Sequence, residues 1–173
     1  MLLDILTYPD PTLAQKCRAV EAITPELAEL AENMVETMYI KDGVGLAAPQ
    51  VGRDERLIVL DRTGPKERKE LYVLFNPEIV EREGETSYEE GCLSCPGLTA
   101  KTQRSERVTV TGLDREGQAV TVQAEGLLAI ILQHEIDHLD GVTIVDHLSR
   151  LKRLMYEKKA KKWQKPPTDK KAM

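Results

Sequence analysis

Apolar positions along this chain gather into two helical stretches and a series of short extended runs. Thr24-Pro25-Glu26 opens the first helix, with Thr as N-cap, Pro at the first helical position and an acid in the first turn. Leu27, Leu30, Ala31, Met34, Val35 and Met38 follow at helical spacing and predict one buried face through about Tyr39. The second stretch, Glu125-Gly126-Leu127-Leu128-Ala129-Ile130-Ile131-Leu132, is apolar on nearly every side, so its helix should run through the core. Gly141 supplies the residue that takes positive φ and stops it. Residues 57–61 and 71–75 are strand-like, with a polar loop at 62–69 between them, and a further short strand is expected over 78–85. Residues 107–113 alternate, Asp114-Arg115-Glu116-Gly117 turns the chain, and 120–124 return as the second arm of a hairpin. Residues 142–145 read as a short apolar strand and 148–163 as a terminal helix. Before the first helix, Pro9 and Pro11 restrict an extended arm with a short turn.

The pattern describes an α+β fold in which antiparallel strands wrap around a central helix, with a C-terminal helix added. One domain should span residues 1–165, and 166–173, opening on Pro166-Pro167, read as a flexible tail. Composition changes this picture little: 41% hydrophobic and 31% charged residues are ordinary for a globular chain. No run reaches membrane-spanning length, and Met1-Leu2-Leu3-Asp4-Ile5-Leu6 lacks the basic lead and apolar core of a signal peptide, so no membrane role is expected. Three cysteines make no disulfide framework, which points to a reducing, cytoplasmic setting. Charge is more telling. Residues 150–173 hold ten Lys or Arg against two acids, whereas residues 1–149 hold 14 basic and 27 acidic groups. A basic tail opposite in sign to the body suggests an anionic partner, although such a helix is as often simply solvated.

The chemistry centres on Gln133-His134-Glu135-Ile136-Asp137-His138. Helix positions i and i+4 share a face, so the two imidazoles can bind one metal ion while Glu135 moves a proton for a water held there. The plainer alternative is a pair of hydrogen-bonded core histidines. A third donor stands in Glu89-Glu90-Gly91-Cys92-Leu93-Ser94-Cys95-Pro96. Cys92 with His134 and His138 would leave one coordination position open, as catalytic sites do. Cys92 and Cys95 together would instead close a Cys₂His₂ structural site. Pro96 biases Cys95 toward extended backbone, where positions three apart face opposite ways, so Cys95 should turn from the metal unless the chain makes a knuckle turn. A redox dithiol has no thioredoxin-like context here, and Cys17 reads as a structural thiol. Asp42-Gly43-Val44-Gly45-Leu46-Ala47-Ala48-Pro49-Gln50 lacks the Lys-Ser/Thr end of a phosphate loop, so its glycines better suit close approach of a peptide backbone.

Residues 43–50, Glu90-Gly91-Cys92-Leu93-Ser94 and 133–138 resemble, in that order, the three signature motifs of peptide deformylases of the bacterial type. The resemblance implies metal ligands at Cys92, His134 and His138, and a general acid/base at Glu135. It implies oxyanion donors at Gln50 and the Leu93 N–H. Gly45, Glu90, Gly91 and Ile130 would meet the substrate or support its loop, with Ile130 lining a methionine pocket. The implied ion is Fe²⁺, one per chain, with Zn²⁺, Ni²⁺ or Co²⁺ able to substitute. The implied reaction removes the N-formyl group from formylmethionine on newly synthesised polypeptides and releases formate. Such substrates also suit a ribosome contact through the basic terminal helix. Two positions depart from the pattern: Cys95 stands where Val or Ile is usual, and Thr99 where many relatives carry Arg. Two other readings differ in kind. A zinc endopeptidase shares the His-Glu-x-x-His helix but takes its third ligand downstream, and an RNA-binding module would carry a closed structural zinc.

Overall fold

Thr24 caps the first helix as its sequence requires, its hydroxyl accepting from the Leu27 N–H at 3.2 Å. This helix, α1 (Pro25–Ile40), was expected to run through Tyr39 and does so. The computed structural model describes residues 1–163, so the tail expected at 166–173 lies outside the described residues. A five-stranded antiparallel sheet runs in the order β1 (Gly45–Ala47), β2 (Leu57–Leu60), β3 (Tyr72–Glu83), β6 (Arg107–Leu113), β7 (Ala119–Glu125). Strands β4 (Thr86–Glu90) and β5 (Ala100–Arg104) form a separate antiparallel pair. The remaining helices are a short α2 (Gly64–Glu67), the long α3 (Gly126–Leu139) and α4 (Arg150–Trp163).

Both faces of the central strands are covered, which is why β2 reads as four apolar residues in a row. Leu57 and Val59 face α1, joining Met34, Met38 and Phe75 in one core. Ile58 and Leu60 face the other way, onto Leu128, Leu132, Ile136 and Leu139 of α3. Each such fully buried side chain contributes about 1.5–3 kcal/mol of transfer free energy. The arrangement fixes α3 against the sheet, with its last turns at the end where β1 and the β4–β5 pair converge. Among the described residues no helix is long and apolar enough to cross a membrane.

Local chemistry accounts for the differences from the pattern. The strands expected at 71–75 and 78–85 are one continuous β3, broken in register between Phe75 and Glu78. Asn76 takes φ +52 there, and its amide exchanges hydrogen bonds with the Val20 backbone at 2.7 and 2.8 Å. Pro77 sits in the bulge, where its missing N–H does no harm. The strand expected at 142–145 is instead a 3₁₀ turn, Ile144–His147. Thr143 accepts from the Val145 N–H while Asp146 accepts from the Thr143 N–H, and this reciprocal cap outweighs the β preference of Val and Ile.

Candidate metal centre

Helix α3 delivers His134 and His138 to one face, and a Schellman ending fixes where it stops. The Val142 N–H bonds to Asp137 O at 2.9 Å and the Gly141 N–H to His138 O at 3.2 Å, with Gly141 at φ +77. The loop after β4 brings Cys92 across. Donor atoms of Cys92, His134 and His138 all lie within 4.8 Å of one another, and Cys92 Sγ stands 3.4 Å from His138 Nε2. Ligands bound tetrahedrally at about 2.0–2.3 Å stand roughly 3.5 Å apart, close to the Cys92–His138 separation, so the three residues form a group that could hold one ion. Two buried polar side-chain atoms among the described residues lack a partner, Oε1 of Glu135, the residue after His134, and Nδ1 of His138. A ligand held beside the three donors would give Glu135 Oε1 the partner it lacks, whereas His138 Nδ1 lies on the ring edge opposite the Nε2 that faces Cys92.

His134 is oriented from behind. Its Nδ1 donates to Glu90 Oε1 at 2.9 Å, which leaves Nε2 for the centre. Glu90 in turn accepts two bonds from the Arg104 guanidinium, both at 2.8 Å, and one from the Thr102 hydroxyl. Burial alone would raise the Glu90 carboxyl, but Arg104, His134 and Thr102 overcome it and hold it at about 2. Arg104 also reaches Asp137 at 2.6 Å, tying β5 to α3. Glu135, one residue on, has no such cation, and burial pushes its carboxyl above the usual range. For His134, burial opposes the charge, yet Glu135, Cys92 and Glu90 outweigh it and push the ring up. Cys92 is drawn well below the ordinary thiol value, first by a hydrogen bond from Cys95 and then by the two histidines.

The other expected residues surround a groove of about 580 Å³ that includes the cluster. Gln50 is buried; the Ala47 N–H holds its Oε1 at 2.9 Å, so Nε2 faces Cys92 Sγ at 3.6 Å and Ser94 Oγ at 3.0 Å. Gly45 lies on β1, the edge strand, where an added Cβ would collide with the Glu135 carboxylate. Gly91, Leu93 and Ile130 line the groove, as does Glu90, although the Glu90 carboxylate is turned toward His134 and Arg104.

One premise of the sequence reading is overturned. The chain does not run extended from Cys92 to Cys95: the Cys95 N–H bonds to Cys92 O at 3.0 Å, closing a turn. Cys95 nevertheless stays outside the set of three clustered donors. Arg104 and Thr102 were not foreseen. The signal available was the alternation of Ala100, Thr102 and Arg104, which places all three on the buried face of β5.

The chain from residue 2 to residue 154 matches the family model described as polypeptide deformylase. The chain belongs to the peptide deformylase family. It is 51% identical to the peptide deformylase of Thermodesulfovibrio yellowstonii over 92% of this chain and 97% of that one. Identity to the Alkalilimnicola ehrlichii peptide deformylase is 48%, over 93% and 90%. Among solved structures, the Legionella pneumophila peptide deformylase superposes with a TM-score of 0.89 at 47% identity, covering 95% of this chain and 96% of that one. The Ehrlichia chaffeensis peptide deformylase in complex with actinonin superposes at 0.89 with 38% identity, covering 95% and 99%. Members of the family are hydrolases that act on formylated nascent peptides, and the cluster of Cys92, His134 and His138 is one that could hold a metal.

Proposed function

We propose that this chain hydrolyses the N-formyl group of formylmethionine at the amino terminus of new polypeptides, releasing formate. The observation that carries the reading is the three-donor cluster beside a buried glutamate with one unpartnered oxygen, in a peptide-sized groove. Cys92, His134 and His138 would hold one Fe²⁺ per chain, or Zn²⁺, Ni²⁺ or Co²⁺ in its place. When bound, the ion supplies Lewis-acid polarisation and a water acidified from a pKa of about 16 to about 7.

The chain's own residues do the rest. Edge strand β1 offers its free backbone to an extended peptide at Gly45, close to the Glu135 carboxylate. Ile130, Leu98 and Ile131 give the groove an apolar floor for a methionine side chain, with Gly91 at its wall. Gln50 Nε2 and the Leu93 N–H stand as donors for the developing oxyanion, and one such donor is worth roughly 3 kcal/mol. Glu135 takes the water's proton on its carboxylate and passes it to the departing amine; its raised pKa suits transfer in both directions. Glu90, held by Arg104, keeps His134 in the tautomer that points Nε2 at the centre. Such substrates place the enzyme in the cytoplasm, and the basic α4 is read as its contact with the ribosome.

The Glu135→Gln variant is expected to bind one ion per chain and to release no formate from a formyl-Met peptide. Ion content by atomic spectroscopy and formate by a coupled assay check both halves. Turnover within a few-fold of the parent would end the assignment, and cleavage of an internal peptide bond would favour an endopeptidase.

A further inference from the structure

The loop that carries Cys92 bears a second thiol three residues on, and nothing proposed above uses it. The Cys92–Cys95 turn is closed by its own hydrogen bond, Cys95 N–H to Cys92 O at 3.0 Å. Such turns keep their first and fourth Cα atoms within about 7 Å, which overlaps the roughly 4.4–6.8 Å that a disulfide spans. The two side chains share a side. Cys95, 1% exposed, belongs to a small apolar cluster with Ala100, Ile144 and Val145, and Cys92 packs against that cluster. The turn is anchored within, by the Tyr8 N–H on Ser94 O at 2.8 Å, and just after it, by the Tyr156 hydroxyl on Pro96 O at 3.1 Å. Rotation about the side-chain bonds can therefore bring sulfur to sulfur while the backbone is held. Both line the groove, but access is unequal, since Cys92 is half-buried and Cys95 is buried.

We infer that Cys92 and Cys95 form a reversible disulfide, an oxidative modification site that switches the metal centre off and spares Cys92 from irreversible oxidation. The oxidant is a peroxide. The Cys92 sulfur attacks one peroxide oxygen, the O–O bond breaks, and the thiol proton leaves with the other oxygen as water, giving a sulfenic acid. The Cys95 sulfur then attacks the Cys92 sulfur, the S–O bond breaks, and the hydroxyl departs as water with the Cys95 proton. The sulfur pair loses two electrons and hydrogen peroxide gains them. A dithiol reductant returns both thiols by exchange. The disulfide itself stands apart from the functional reading above, whereas release of the ion rests on it, because the sulfur assigned to the ion is then bonded to its neighbour.

The test treats metal-loaded protein with hydrogen peroxide, alkylates free thiols and digests with trypsin. Residues 83–101 form one tryptic peptide that contains Cys92 and Cys95 but not Cys17. The expected peptide is lighter by two hydrogens and refuses alkylation until reduced. Ion content falls in parallel, and both changes reverse with dithiothreitol and added ion. In Cys95→Val, with Cys95→Ser as a second variant, Cys92 is expected to gain two or three oxygens, a change that dithiothreitol does not undo. Wild-type Cys92 over-oxidised as fast as in the variants, or a peptide with both thiols intact after peroxide treatment, overturns the inference. A disulfide that forms with the ion retained overturns the switch and the assignment of Cys92 as ligand. Protein that never takes up an ion, yet forms the disulfide, counts against the functional reading alone.

Discussion

Glu90 and Glu135 are both nearly inaccessible carboxyls beside His134, yet their affinities for a proton move in opposite directions. The difference is one guanidinium. Arg104 grips Glu90 through two nitrogens and, with His134 and Thr102, outweighs the desolvation that acts on both acids, whereas Glu135 has only the two imidazoles to lower it, with Cys92 and Glu90 acting against them. One group therefore stays ionised against His134, and under the proposed function the other is the one set to carry a proton. The Glu90 carboxyl lies at about 2 in the folded protein against an ordinary 4.5. Its contribution to stability is complete above about pH 4.5 and is lost as pH falls toward about 2. Glu90→Gln is expected to flatten the dependence of unfolding free energy on pH across that window, and to weaken ion affinity about 10–100-fold by loosening His134. Urea unfolding at a series of pH values, with competition against a chelator, reads both effects. Unchanged affinity would remove Glu90 as a positioning residue. Glu135 and the histidines were legible in the sequence because an i, i+4 spacing on an apolar helix admits few readings. Arg104 was not, since its role depends on a pairing of β4 with β5 that no local pattern announces.

At the scale of elements, helices that carry their own caps were the readable part: Thr24 and Gly141 mark ends that the structure keeps within about one residue. The strands β1, β4 and β5 are three to five residues long and were missed, because none of them carries the run of branched apolar residues that marked the other strands. The end of α3 is also where the N-terminal arm is fastened. Leu139 O accepts from the Cys17 N–H at 2.8 Å and from Arg56 at 3.1 Å, a cation at the negative end of the helix. A Cβ on Gly141 would come within 2.5 Å of Ala14 O, in backbone that cannot yield easily. Gly117, at the hairpin tip, shares the positive φ but would meet only Ile23 at 3.8 Å. Gly117→Ala should therefore cost about 1 kcal/mol from conformation alone. Gly141→Ala should cost more, lowering Tm by roughly 5 °C or beyond at about 2–4 °C per kcal/mol. Equal shifts in a thermal unfolding experiment would show that the arm gives way and that the close approach has no energetic weight.

Across the whole molecule, charge is separated as the composition foretold: an acidic body, and a helix α4 that displays Lys158, Lys159, Lys161 and Lys162 to solvent. Only Tyr156 and Ala160 of that helix are buried, in the same small cluster that holds Cys95, so α4 braces the metal loop with one face and offers the rest outward. None of the four lysines lines the groove. If the helix meets ribosomal RNA, each phosphate it neutralises releases counterions and steepens the dependence of binding on salt. Replacing the four lysines with Gln is expected to leave the rate on a short formyl-Met peptide within about two-fold of the parent, since charges remote from the reacting atoms act weakly through screened solvent. Ribosome affinity should fall, and the slope of log K against log salt should shrink by about 3, at roughly 0.7–0.9 for each phosphate that a lysine had neutralised. Sedimentation with ribosomes at several potassium concentrations measures the slope. An unaltered slope assigns the lysines to solvation alone and leaves the bracing of the metal loop, through Tyr156 and Pro96, as the part of α4 that the fold requires.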